Sequence, residues 1–188
     1  MELIRPGEAG DASAIRHVNL TAFATAAEAD LVERLRVSGK AVIELVALDG
    51  DSVVGHVVFS PIALDPLAGT VGLGLGPLAV MPDHEKHGVG RRLVQNGLAA
   101  CHQWGAGFVV VIGDPPYYTR FGFEPAAKHG LRNEFDAGDA FMVFKLESGA
   151  LPPSGTLVKY SPEFTELAVK PAAPGSRKAR RPAPPPRG

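Results

Sequence analysis

The chain has 188 residues, 45% of them hydrophobic and 21% charged, which suits one α/β domain with a sizeable core and excludes disorder of the whole chain. Its net charge of −1 is unevenly divided: from residue 151 onward seven Lys/Arg face Glu163 and Glu166, a surplus of +5, so residues 1–150 carry −6 and give no electrostatic case for nucleic-acid binding. No apolar run approaches the ~20 residues of a membrane span, the opening MELIRPGEAGD lacks a signal peptide's basic and apolar regions, and the one cysteine, Cys101, excludes an intramolecular disulfide or a Cys-rich metal site, so a cytoplasmic location is the expectation.

A short strand is predicted over residues 3–5. Asp11 is placed to cap a helix whose apolar positions Ile15, Val18, Leu20 and Phe23 follow helical spacing. A second helix is predicted over residues 27–37, with Leu31, Val32 and Leu35 inward and Gly39 ending it. Residues 41–48, a turn at Asp49-Gly50 and residues 52–62 read as a β-hairpin. A third strand over residues 70–80 contains Gly72, Gly74, Gly76 and Pro77, awkward residues for a central strand. A bulge at Gly76-Pro77 resolves the conflict and would splay this strand from its neighbour, leaving a slot with free backbone groups. A helix over residues 88–104, a buried strand over 108–112, a short helix holding residues 117–121, and strands near 123–125 and 140–146 follow.

The chemistry concentrates in strand, loop, helix: Leu78-Ala79-Val80, Met81-Pro82-Asp83, then Glu85-Lys86-His87-Gly88-Val89-Gly90-Arg91-Arg92-Leu93. Free N–H groups at a helix N-terminus, with glycines permitting close approach, suit phosphate oxygens. A Walker loop is excluded because no Gly-Lys-Ser/Thr opens the helix; a dinucleotide fingerprint is excluded because Gly74-x-Gly76-x-x-Ala79 lies within a strand. An acyl-CoA pyrophosphate loop remains, beside the alternative of a glycine-started helix with no ligand.

Residues 78–93 resemble the acyl-CoA-binding motif of GNAT acetyltransferases, in which a strand ending L-x-V-x-P precedes Q/R-G-x-G-x-G/A and a long helix. Gly113-Asp114-Pro115-Pro116-Tyr117-Tyr118-Thr119-Arg120-Phe121-Gly122-Phe123 resembles the family's later Y-x-x-x-G-F segment, in the form of its YhbS-like branch. Looser matches are Ala27-Glu28-Ala29, Phe59-Ser60-Pro61 and Gly155-x-x-Val158-x-Tyr160. Glu85 and Lys86 depart from the pattern, standing where the family has Gln or Arg followed by Gly; a carboxylate beside a pyrophosphate is unfavourable unless it points to solvent or pairs with a cation.

The resemblance implies a mixed α/β fold, a central and mostly antiparallel sheet with one splayed parallel pair flanked by helices, for the domain over residues 1–169; residues 170–188, which combine Pro and basic residues with almost no large apolar side chains, read by composition as a disordered tail. It implies acetyl-CoA as co-substrate, held by Leu78, Ala79 and Val80 along the pantetheine arm and by His87, Gly88, Val89, Gly90 and Arg91 at the pyrophosphate. It implies Tyr118 as the general acid that protonates the departing thiolate, and an amine as acceptor. Many relatives carry a Glu base on the third long strand, but Leu75, Gly76 and Pro77 offer no carboxylate. Glu28, His56, Ser60 and Asp114 are the candidates, each with a structural alternative: a solvated helix charge, a satisfied half-buried histidine, a strand-end hydroxyl and a turn former.

Tyr117 reads as packing or substrate wall. Cys101 shares the apolar face of the long helix with Val94, Gly97 and Leu98 and reads as core, and Trp104, at the helix end, reads as a packing residue. His84 and His87 lack a third ligand, so no metal is expected. A longer acyl chain taken from CoA or from an acyl carrier protein, which the basic tail would suit, and a non-catalytic acyl-CoA-binding module are the alternatives. A homodimer through the late strands is compatible with the sequence.

Overall fold

The computed structural model describes residues 3–168; the tail expected over 170–188 lies outside the described residues. A seven-stranded sheet runs in the order β1 (Leu3–Pro6), β2 (Ile43–Asp49), β3 (Ser52–Pro61), β5 (Gly72–Val80), β6 (Phe108–Ile112), β9 (Phe141–Lys145) and β7 (Glu124–Pro125). Every neighbouring pair is antiparallel except β5 and β6. A second, three-stranded sheet joins β4 (Ala63–Asp65), β10 (Leu157–Lys159) and β8 (Arg132–Asn133). These strands of two or three residues carry no readable alternation, and the sequence reading missed all three.

The sheet separates two cores because side chains along a strand alternate between its faces. On one face α3 (Val89–Trp104) buries Val89, Leu93, Val94, Leu98 and Cys101 against Leu45, Val57, Phe59 and Leu75. Cys101 is fully buried, and burial pushes its thiol up to about 12, so it is the small core hydrophobe its spacing predicts. On the other face α1 (Ala12–Ala22) and α2 (Ala27–Val37) bury Ile15, Leu31, Val32 and Leu35 against Val46, Val58, Phe108 and Val110. The chain then passes through α4 (Pro115–Tyr118) and ends its described part in α5 (Thr165–Ala168).

Three local expectations are corrected. Asp11 stands at the N-cap of α1 but makes no side-chain cap bond. Its carboxylate accepts from Arg5 Nη1 and Nη2 at 2.6 and 2.9 Å and from the Glu8 N–H at 2.8 Å, and the Arg5 hydrogen bond holds it down at about 2. Leu20 is 43% exposed; the buried polar residue beside it on α1 is Asn19. Trp104 is 48% exposed at the end of α3, not packed in the core. Among the described residues no helix is long and apolar enough to cross a membrane.

Candidate active site

The predicted bulge exists and opens the sheet. Val57 pairs with Leu78 and Phe59 with Leu75, so Val58 alone is opposed by both Gly76 and Pro77, and Gly76 takes φ +141°, a conformation side-chain-bearing residues rarely adopt. β6 follows β5 only from Gly72 to Leu75. Past that point Leu78, Ala79 and Val80 are paired to β3 on one edge, and the edge toward β6 has no strand partner among the described residues. A backbone edge of this kind can pair with an extended ligand bearing amide groups.

The loop after β5 delivers the chain to α3. Gly88 caps the helix at φ +85°. The first helical bond runs from the Arg92 N–H to Gly88 O at 3.0 Å, so the N–H groups of Val89, Gly90 and Arg91 precede the ladder. Lys86, at the family's glycine position, adopts φ +64°: the loop keeps the left-handed turn that a glycine would supply. Glu85, Lys86 and His87 are all exposed, so Glu85 can face solvent and need not oppose an anion. His84 Nε2 lies 3.3 Å from Asp49 Oδ2, which ties it to the β2–β3 turn.

The aromatic pair of α4 divides its work. A Cβ on Gly90 would meet the Tyr117 hydroxyl at 2.8 Å, so this phenol rests on the first turn of α3, with the Arg120 guanidinium 4.6 Å above its ring. Tyr117 therefore borders the glycine-capped start of α3, a placement that sequence spacing could not show because it depends on how α4 meets α3. Tyr118 is 8% exposed and packs edge-on against Phe123 and closely over Gly113. Burial pushes its phenol up, with Tyr117 and Asp114 adding repulsion, so it keeps its proton through the physiological range. Tyr118 belongs to the core on the α3 face and Tyr160 to the opposite core.

Of the four base candidates, the structure engages His56 most fully. It is fully buried; Asn19 Nδ2 donates to its Nδ1 at 3.1 Å, so Nε2 carries the proton and donates to Glu44 Oε1 at 3.1 Å. With both nitrogens committed, His56 is a structural histidine that anchors α1 to the sheet. Glu28 lies in the first turn of α2, and Asp114 is exposed and supplies its carbonyl to the N–H groups of Tyr117 and Tyr118. Ser60 is fully buried, pairs with Gly74, and its Oγ has no hydrogen-bond partner among the described residues.

Comparison with known proteins agrees with this geometry. Residues 3–126 match the acetyltransferase (GNAT) domain family. The chain is 38% identical over 159 residues to the N-acetyltransferase YhbS of Escherichia coli, covering 84% of this chain and 95% of that protein. The crystal structure of E. coli YhbS in complex with CoA superimposes with a TM-score of 0.81 at 37% identity, covering 87% of this chain and 91% of that one. A GNAT acetyltransferase from Brucella melitensis in complex with acetyl-CoA superimposes with a TM-score of 0.73 at 29% identity, covering 87% and 98%.

Proposed function

Since the chain belongs to the GNAT family of N-acetyltransferases, we propose that it transfers an acetyl group from acetyl-CoA directly to a primary amine. The observation that carries this reading is the unpaired edge of Leu78, Ala79 and Val80 running into the glycine-capped start of α3, with Tyr118 packed over Gly113 just past the end of β6. The strand edge pairs with the pantetheine amides. The N–H groups of residues 87–91, with the Tyr117 hydroxyl beside them, receive the pyrophosphate. The amine attacks the thioester carbonyl, backbone N–H groups at the slot stabilise the oxyanion, and the C–S bond breaks as Tyr118 gives its proton to the thiolate. The chains crystallised with CoA and acetyl-CoA support this choice of donor.

Calorimetric titration with acetyl-CoA tests the donor site, with Gly88→Trp as the variant that blocks the cradle. Micromolar binding lost in Gly88→Trp is the expected result; no binding at millimolar acetyl-CoA defeats the reading. With an amine that turns over, Tyr118→Phe should lower kcat about a hundredfold, the lower end of what a positioned acid contributes, while acetyl-CoA affinity stays unchanged. Thiol release from longer acyl-CoA donors in the same assay sets the chain length.

A further inference from the structure

We propose, resting on the acetyltransferase reading above, that Tyr160 is the stop that sets the length of acyl group the donor can carry. Its ring plugs a glycine-floored trough that leads away from the thioester, so that acetyl and propionyl groups fit and longer chains do not. The place of the thioester follows from the donor edge. With the pyrophosphate at the start of α3 and the pantetheine arm along Val80, Ala79 and Leu78, the sulfur end of the donor reaches Gly76 and Pro77, where β5 leaves β6.

From there an acyl chain has three ways into the protein. Straight on, between the strands, is closed, because Leu75 pairs with Val111 and the parallel ladder continues back to Gly72 and Phe108. Toward α3, Leu75 and Val111 are 3% and 2% exposed and belong to a filled core. Away from α3, β5 presents only Gly76, Gly74 and Gly72, and this bare backbone forms the floor of a trough that another group can approach closely.

The trough is open at one end. Gly76 is half-buried and nothing lies within 4 Å of a would-be Cβ on it, whereas Gly74 and Gly72 are buried. Over Gly74 lies the Tyr160 ring, its Cε1 and Cδ1 2.7 and 3.1 Å from where a Cβ would stand, with Ile62 Cγ2 at 3.3 Å; over Gly72 lie the Phe108 ring and Ile62 Cδ1. Two residues of strand separate Gly76 from Gly74, about 7 Å, and the ring takes the far part, which leaves room for an acyl group of about two or three carbons. The stop is rigid: Phe135 and Phe164 hold the Tyr160 ring at centroid distances of 5.9 and 5.0 Å. The Tyr160 hydroxyl has no hydrogen-bond partner among the described residues, so packing places the ring, and the ring rather than the hydroxyl limits the chain.

Calorimetric titration with CoA, acetyl-CoA and hexanoyl-CoA tests the stop and needs no acceptor. A chain that finds an apolar seat gains roughly fourfold in affinity per methylene. In the wild type the added methylenes of hexanoyl-CoA find none, so it should bind no more tightly than acetyl-CoA; binding about tenfold tighter would overturn the stop. Tyr160→Val removes the ring and should raise the affinity for hexanoyl-CoA relative to acetyl-CoA by about tenfold, the scale of two methylenes taken out of water. Tyr160→Leu, closer in volume to the native residue, should shift the ratio in the same direction and serves if Tyr160→Val does not fold. Tyr160→Phe keeps the ring and should keep the wild-type ratio. A folded Tyr160→Val or Tyr160→Leu protein with the wild-type ratio overturns the stop alone. Failure of both CoA and acetyl-CoA to bind the wild type overturns the acetyltransferase reading, and the stop with it.

Discussion

Gly72, Gly74 and Gly76 fall at every second position of β5, so all three face the same side of the sheet. Only Gly76 serves the bulge. A Cβ on Gly72 would meet the Phe108 ring within 2.7 Å, and one on Gly74 the Tyr160 ring at 2.7 Å, so these two glycines are seats for aromatic rings laid on bare backbone. Gly74→Ala is therefore expected to destabilise the fold by about 1–3 kcal/mol, the range of core overpacking. The Tyr160 ring cannot withdraw, since it is held between Phe135 and Phe164 at 5.9 and 5.0 Å. Urea unfolding of Gly74→Ala against the wild type measures it, and an unchanged midpoint would mean the ring has room. The glycine run was legible as an anomaly and its last member as a bulge. The other two were not, because the rings they receive come from β6 and from the far end of the chain, and one sequence cannot show that pairing.

At the scale of elements, the strand, loop and helix that carry the cradle were readable because glycine spacing and apolar periodicity agree there. The helix bounds fall within one residue of expectation, from the Gly88 cap to Trp104. Lys86 was legible as a departure but not as a residue in the left-handed region, because the motif records residue types and the conformation belongs to the loop. α3 contains a second site where tertiary contact overrides propensity. Alanine in mid-helix is worth about 1 kcal/mol over glycine, so Gly97→Ala would stabilise an isolated helix. Here two atoms of the buried Phe59 ring would stand 2.4 Å from the new methyl. Gly97→Ala should instead destabilise the protein by about 1–3 kcal/mol, read as a lower denaturation midpoint at unchanged m-value. A Phe59→Leu background should recover part of the loss.

On the scale of the whole molecule, the sheet acts as a wall with a gap, the donor motif on the α3 face and the orphan hydroxyls on the other. The strand, loop and helix from Leu78 to Trp104 and the short α4 were legible because their motifs are local in sequence. The second sheet was not, because β4, β8 and β10 are too short to announce themselves and pair segments far apart in the chain. The opposite, far edge of the sheet is fastened by electrostatics, and its pH dependence can be given a sign. Asp11 is held at about 2 in the fold by its Arg5 hydrogen bonds, assisted by the Glu8 N–H against the cost of burial, whereas in the unfolded chain it titrates near the ordinary aspartate value of 3.8. The folded state thus binds its proton later, and the stability gained from the pair is fully present above about pH 4 to 5 and lost as pH falls toward 2. Asp11→Asn keeps the size of the side chain and removes that linkage. Its melting temperature should lie below that of the wild type at pH 7, the gap should narrow progressively between pH 4 and 2, and it should not open again on the acid side. A gap that is the same at pH 7 and pH 2.5 would show that Asp11 fastens β1 to α1 through neutral hydrogen bonds alone, with no contribution from the charge on Arg5.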